Sequence, residues 1–193
     1  SSPSMLFFNY QLAEELNLNP LHLNSDEGLQ FFSGNKAPIG SIQIAQAYAG
    51  HQFGHYNPKM GDGRAILLGE VIDANKHRRD IQLKGCGQTP FSRRGDGKSA
   101  LGPVLREYLI SESMHALGIP TSRSLAAIKT GENVLREDIL PGGILTRVAA
   151  SHIRIGTFEY ASKLEDKNVI KKLADYSICL LYTSPSPRDH RRS

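Results

Sequence analysis

The clearest patterning of apolar and polar positions lies between residues 61 and 112. Ala65 to Ile72 is an apolar run of strand length. From Asp80 to Gly85 the pattern alternates, with Ile81 and Leu83 on one face and Gln82 and Lys84 on the other, which is the period of a second strand. The polar residues 73–79 read as the turn between them. Thr89 to Ala100 is rich in Gly, Pro, Arg and Asp and reads as a loop. Pro103 opens a helix that ends at Gly118. Over residues 104–117 apolar side chains surround most of its circumference, which predicts a largely buried helix. Glu107 sits inside that run.

The flanking regions are plainer. Residues 10–16 form a short helix. Ser25 is the N-cap of a helix over Asp26–Phe32, and Gly34 is its stop. Residues 41–49 read as helical. Residues 124–129 and 133–136 flank Thr130-Gly131-Glu132-Asn133, a hairpin signal. Pro141-Gly142-Gly143 breaks the chain. Residues 144–149 form a strand with Arg147 inserted, and residues 151–156 repeat the theme around Arg154. Residues 163–181 carry an amphipathic stripe of Val169, Ile170, Leu173, Ala174 and Ile178.

Composition narrows the class more than the activity. With 193 residues, 39% hydrophobic and 22% charged, the chain is globular and long enough for a sizeable core. The formal charge of +4 is modest, and the last six residues supply +2 of it through three Arg against one Asp. The remainder is too weakly basic for a duplex-binding surface, so no nucleic-acid partner is expected. Two cysteines, Cys86 and Cys179, suit a reducing compartment rather than a disulfide framework. No run is long enough to span a membrane, and no targeting signal is visible.

The chemistry concentrates in the same central stretch. Gly61 and Gly63 allow the backbone to approach an anion, with N–H groups directed at phosphate oxygens. Lys84 adds a point charge. A buried Glu107 needs a cationic partner, and Lys84 is the candidate. A glycine turn, a strand lysine and a helix glutamate in that order form the protein-kinase nucleotide-site arrangement. The competing reading is a hairpin with a glycine turn and a surface lysine; the order of three elements favours the nucleotide. Gly85 to Lys98 should lie over the phosphates, with Arg93, Arg94 and Lys98 within reach, although a solvated loop is preferred for Arg94 and Lys98. Asp96-Gly97 forms a tight turn, or holds a water or the nucleotide. His51 and His55 have the spacing of a helical metal pair, but two neighbouring glycines disfavour a helix and packing outranks metal. Cys86 reads as a small filler. Arg147 and Arg154 each sit between apolar neighbours. Two readings stay open for them: guanidinium groups aimed at an anion, or ordinary edge-strand charges.

Several phrases together carry a family resemblance: Tyr48-Ala49-Gly50-His51-Gln52-Phe53-Gly54, Gly61 to Glu70, Leu83-Lys84-Gly85, Thr89-Pro90-Phe91-Ser92-Arg93, Gly95-Asp96-Gly97, Leu105 to Leu109, Met114 to Thr121, Arg147-Val148-Ala149 and Ser151 to Glu159. From about residue 6 to about residue 178 the chain resembles the selenoprotein O (YdiU-like) family of kinase-fold protein adenylyltransferases. The resemblance implies an α+β, protein-kinase-like fold: an extension over 1–45, a nucleotide-binding lobe over 46–140 and the start of a second lobe over 141–178. It implies transfer of AMP from ATP to Ser, Thr or Tyr hydroxyls of protein substrates, with ATP flipped so that its α-phosphate faces the acceptor. Gly61, Gly63 and Arg64 match the glycine-loop contacts, and Lys84 the phosphate-binding lysine with Glu107 as its partner. Asp96 and Gly97 match the flipped-nucleotide loop, and Arg147 and Arg154 two further ATP-binding arginines.

The family's catalytic-base aspartate and its Mg²⁺ ligands lie downstream of the match, so no metal ligand and no turnover are expected of this chain alone. Residues 179–193 depart from the pattern and read as translated adapter sequence. The resemblance places the protein in the cytoplasm if bacterial and the mitochondrion if eukaryotic. The alternative is a non-catalytic, pseudokinase-type nucleotide-binding module.

Overall fold

The computed structural model describes residues 2–181. In chain order the elements are β1 (Ser4–Phe8), α1 (Tyr10–Glu15), α2 (Pro20–Leu23), α3 (Asp26–Phe32), β2 (Gly50–Gln52), β3 (His55–Asn57), β4 (Ala65–Ile72), β5 (Arg78–Lys84), β6 (Ser99–Ala100), α4 (Leu101–Ala116), β7 (Arg123–Leu135), β8 (Ile139–Ala149), α5 (Ile155–Ser162) and α6 (Asn168–Leu181). The mixture is α+β. Two compact units form: one from the residues up to Ala45 together with Asp62–Ala150, the other from Gln46–Gly61 together with the chain from Ser151 onward.

The first unit is built on an antiparallel sheet in the order β1-β7-β8-β5-β4, with β6 pairing β8. Its two faces bury different sets of side chains. Leu83, Leu125, Ala126, Ile128, Ile144 and Val148 pack with Leu12, Ala13, Leu16 and Phe32 from the N-terminal helices. On the opposite face Ala127 and Leu145 pack with Val104 of α4, with Leu105 and Tyr108 beside them. The N-terminal helices follow their caps. The Asn9 side chain accepts the Leu12 N–H at 3.0 Å, Pro20 opens α2 behind the Asn19 cap, and Ser25 accepts the Gly28 N–H at 3.4 Å.

α4 ends in a Schellman motif: Gly118 takes φ +75, its N–H donates to the His115 carbonyl, and the Ile119 N–H donates to Met114 at 3.0 Å. The helix is pinned by Glu112. That carboxylate accepts from Arg123 Nη2 at 2.9 Å, the Ser124 N–H at 2.7 Å and Asn9 Nδ2 at 2.9 Å. Burial raises the Glu112 pKa, but these donors outweigh it and hold the carboxyl below its ordinary value.

Six expectations change. Residues 41–49 are not helical; Ile44 exchanges hydrogen bonds of 3.0 and 2.8 Å with Leu67, as the alternation Ser41-Ile42-Gln43-Ile44 permits. The turn of the β7–β8 hairpin lies at Arg136–Asp138, where the Arg136 N–H donates to the Asp138 carbonyl at 2.9 Å. The Thr130-Gly131-Glu132 signal marks a bulge instead: Lys129 pairs Gly143 and Asn133 pairs Pro141, so β7 carries two extra residues there, with Gly131 at φ +76. Pro141-Gly142-Gly143 lies inside β8 rather than breaking it. A Cβ on Gly142 would stand 2.6 Å from Thr130 Oγ1, and one on Gly143 2.9 Å from Leu101, so these glycines serve close approach. Residues 151–154 are not a strand; they lead into α5, and the last helix begins at Asn168 rather than 163. Finally, α4 is not largely buried: only Val104 and Ser111 are fully covered, while Leu109 and Ile110 are more than half exposed, because one face alone meets the sheet.

In the second unit β2 and β3 form a hairpin, and the His51 ring lies 5.2 Å from that of Tyr56. The Ala49 N–H donates to the Gly156 carbonyl at 2.8 Å, an approach so close that a Cβ on Gly156 would sit 1.9 Å from the Ala49 oxygen. Most of the stretch read as adapter sequence, residues 182–193, lies outside the described residues.

Candidate functional site

The register of the sheet sets the site. Gln82 opposes Arg147 and Lys84 opposes Leu145, so Gln82, Lys84 and Arg147 project from the face that α4 covers. Glu107 lies one helical turn beyond Val104, the residue that docks α4 on this face. Its Oε2 accepts a hydrogen bond from the Lys84 ammonium, and its Oε1 faces Arg147 Nη1 at 3.5 Å. Arg147 Nη2 donates to the side-chain oxygen Oε1 of Gln82, and Gln82 Nε2 donates to Asp62 Oδ2 at 3.3 Å. A line of polar groups therefore runs Asp62–Gln82–Arg147–Glu107–Lys84. Gln82 and Asp62 are buried, whereas the Lys84 and Glu107 side chains are 29% and 30% exposed, so this pair is open to solvent and to a ligand.

The glycine segment is laced to the following loop. Thr89 Oγ1 donates to the Asp62 carbonyl and Ser92 Oγ to the Gly63 carbonyl, each at 2.6 Å. A Cβ on Gly63 would stand 3.0 Å from the Phe91 oxygen, so glycine allows the two segments to meet. Arg64 is exposed, and its carbonyl accepts the Gly85 N–H at 2.7 Å. Gly61 takes φ +60, and its N–H is already engaged by the Tyr48 carbonyl at 2.9 Å.

Asp96 forms a two-pronged ion pair with Arg136, at 2.9 and 3.1 Å, and accepts the Lys98 N–H at 2.9 Å. The Arg136 hydrogen bond, working against partial burial, holds the Asp96 carboxyl below its ordinary value. Gly97, at φ +67, packs on Gly87; a Cβ there would sit 1.9 Å from the Gly87 oxygen. Lys98 pairs with Glu132 at 2.6 Å, both partly exposed. Arg154 belongs to the second unit. Its guanidinium lies over the Tyr48 ring at 4.8 Å, and its N–H donates to Thr157 Oγ1 at the start of α5. Burial pushes the Cys86 thiol up, away from thiolate chemistry.

Lys84, Glu107 and Arg147 thus meet, while Asp96 and Gly97 shape their own loop through Arg136 and Gly87. Five contributors escape the sequence reading: Gln82, Asp62, Thr89, Ser92 and Arg136. Gln82 was signalled by sharing a strand face with Lys84. Arg136 had no local signal, since its partner is forty residues away.

A sheet lysine whose ammonium is held by a helix carboxylate, with a strand guanidinium on the same acid, defines an α+β protein equipped to handle anions. The family described as protein adenylyltransferase SelO matches residues 1–192, and the chain belongs to it. Its relatives include proteins called protein nucleotidyltransferase YdiU. That of Bradyrhizobium sp. (strain ORS 278) is 60% identical over 178 residues, 92% of this chain and 36% of the relative. That of Anoxybacillus flavithermus (strain DSM 21510 / WK1) is 60% identical over 178 residues, 92% of this chain and 37% of the relative. That of Agrobacterium fabrum (strain C58 / ATCC 33970) is 61% identical over 177 residues, 92% of this chain and 36% of the relative. The chain spans a little over a third of the length of these relatives. Among the described residues no helix is long and apolar enough to cross a membrane.

Proposed function

We propose that this chain supplies the ATP-binding part of a protein adenylyltransferase with a kinase-like fold, acting on Ser, Thr or Tyr hydroxyls of protein substrates. The observation that carries the reading is the meeting of Lys84, Glu107 and Arg147. Lys84 and Arg147 share the Glu107 carboxylate on a partly open face. Glu107 holds the Lys84 ammonium in place, so a polyphosphate meets a charge already positioned. Gly63 and the exposed Arg64 close the approach from the neighbouring segment. Asp96, Gly97 and Arg154 are assigned the further ATP contacts in this reading. Transfer forms a bond from the acceptor oxygen to the α-phosphorus and breaks the α–β bridge, releasing pyrophosphate. The acceptor's proton leaves to a base contributed from outside this chain.

Mg²⁺ screens phosphate charge in such reactions. Among the described residues no group of three or more His, Cys, Asp or Glu gathers to hold a metal. In this reading the Mg²⁺ ligands come from the remainder of the longer family proteins.

Two measurements test the reading. Isothermal titration of this chain with ATP should show binding; no heat at millimolar nucleotide overturns it. A full-length protein carrying this segment, given ATP labelled at the α- or γ-phosphate, should label protein from the α position alone. Label from the γ position would make it a kinase, and nucleotide binding with no label from either would make it a non-catalytic module.

A further inference from the structure

Gln82 is the uncharged member of the polar line and its most deeply covered: it is 0% exposed, and Asp62 beside it 2%. Both ends of its amide are used. Nε2 donates to Asp62 Oδ2 at 3.3 Å, and Oε1 accepts from Arg147 Nη2. The reverse orientation would set the amide oxygen against the carboxylate and the amide nitrogen against the guanidinium, so the two charges fix one orientation. They also polarise the amide in the same direction, and the two hydrogen bonds strengthen each other. Gln82 stands opposite Arg147 in the β5–β8 ladder. Asp62 is held from its other side, its carbonyl accepting from Thr89 Oγ1 at 2.6 Å. The amide therefore joins the glycine segment to a guanidinium whose Nη1 faces Glu107 at 3.5 Å. Packing alone does not call for an amide here, since an unbranched methionine fills comparable space. What the amide adds is direction.

We propose that Gln82 is a positioning residue for the nucleotide phosphates: it sets the direction of the Arg147 guanidinium and, through Asp62, ties that direction to the glycine segment. The assignment rests on the nucleotide reading above. An arginine turns about several side-chain bonds, and fixing it before the ligand arrives removes that ordering cost from binding. A residue that acts through Arg147 has a signature. Its removal costs little more once Arg147 itself is gone.

The test is titration calorimetry with ATP on the intact chain, with thermal melting followed for every variant. Gln82→Met should weaken ATP binding about tenfold, through loss of a hydrogen bond to a charged group. Arg147→Ala, which leaves Lys84 in place, should weaken it by a similar factor or more. Gln82→Met added to Arg147→Ala should then cost less than about twofold further. A role in packing alone would lower the melting temperature and leave ATP affinity unchanged, or would add its full loss in both backgrounds. Gln82→Met leaves the buried Asp62 carboxylate short of a donor, so Asp62→Asn/Gln82→Met guards against misfolding and should show the same loss of ATP affinity. Unchanged affinity in either folded variant, or the full tenfold loss repeated in the Arg147→Ala background, would overturn the assignment while leaving the nucleotide reading intact. A parent chain that binds no ATP would overturn that reading, and this assignment with it.

Discussion

At the scale of single residues, the two lysines of the central loop region separate cleanly. Lys84 is held by Glu107 with Arg147 beside it, whereas Lys98 pairs with Glu132 at a partly exposed site. Lys84→Ala should cost ATP affinity about tenfold, since a hydrogen bond to a charged group is worth ~1.5–3 kcal/mol. Lys98→Ala should change it less than about threefold, because exposed pairs contribute ~0–1 kcal/mol. Titration calorimetry on both variants reads the difference directly. Glu112 gives a stability test with a defined sign. Its folded-state pKa lies below its ordinary 4.5, so its contribution is full above pH 4.5 and fades as pH falls through the lowered native value. Glu112→Gln should therefore destabilise the chain by about 2 kcal/mol at neutral pH. The gap from the parent should narrow steadily below pH 4.5 in denaturant titrations. Glu107 is legible in the sequence because it interrupts an apolar pattern, and Lys84 because a lysine strand follows the glycine turn and precedes that helix. Glu112 and Arg136 are not, since ordinary exposed positions on a helix and in a turn look the same.

At the scale of elements, what local chemistry dictates is legible. Ser25 caps α3 and Gly118 ends α4, as their sequence positions predict. What pairing dictates is not. Thr130-Gly131-Glu132-Asn133 has the composition of a hairpin turn, yet β7 runs through it and turns at residues 136–138, because continuing the ladder to Leu135–Ile139 satisfies more backbone groups. Pro141-Gly142-Gly143 misleads in the same way: glycine there answers the crowding of Leu101 and Thr130 on β8, which only the folded sheet creates. Gly97 shows how strict such crowding is. Gly97→Ala combines a positive φ with a Cβ 1.9 Å from the Gly87 oxygen, and should lower stability by at least ~2 kcal/mol. Thermal melts of this variant beside Gly102→Ala, where nothing lies within 4 Å, isolate the steric effect.

At the scale of the molecule, the N-terminal residues belong to the sheet that carries the site. β1 covers β7 through the pairs Ser4–Lys129 to Phe8–Ala126, and Asn9 reaches Glu112 on α4. Removing residues 1–9 should bare the β7 edge and free one anchor of α4 together, giving a product that elutes as aggregate in size-exclusion chromatography. The line from Asp62 through Gln82 and Arg147 to Glu107 has a further bearing on how such proteins diverge. Gln82 and Arg147 share a direct hydrogen bond within this line, so a double-mutant cycle of their alanine variants should show ~0.5–3 kcal/mol of non-additivity. Replacing the amide and the guanidinium together should therefore be tolerated better than replacing either alone.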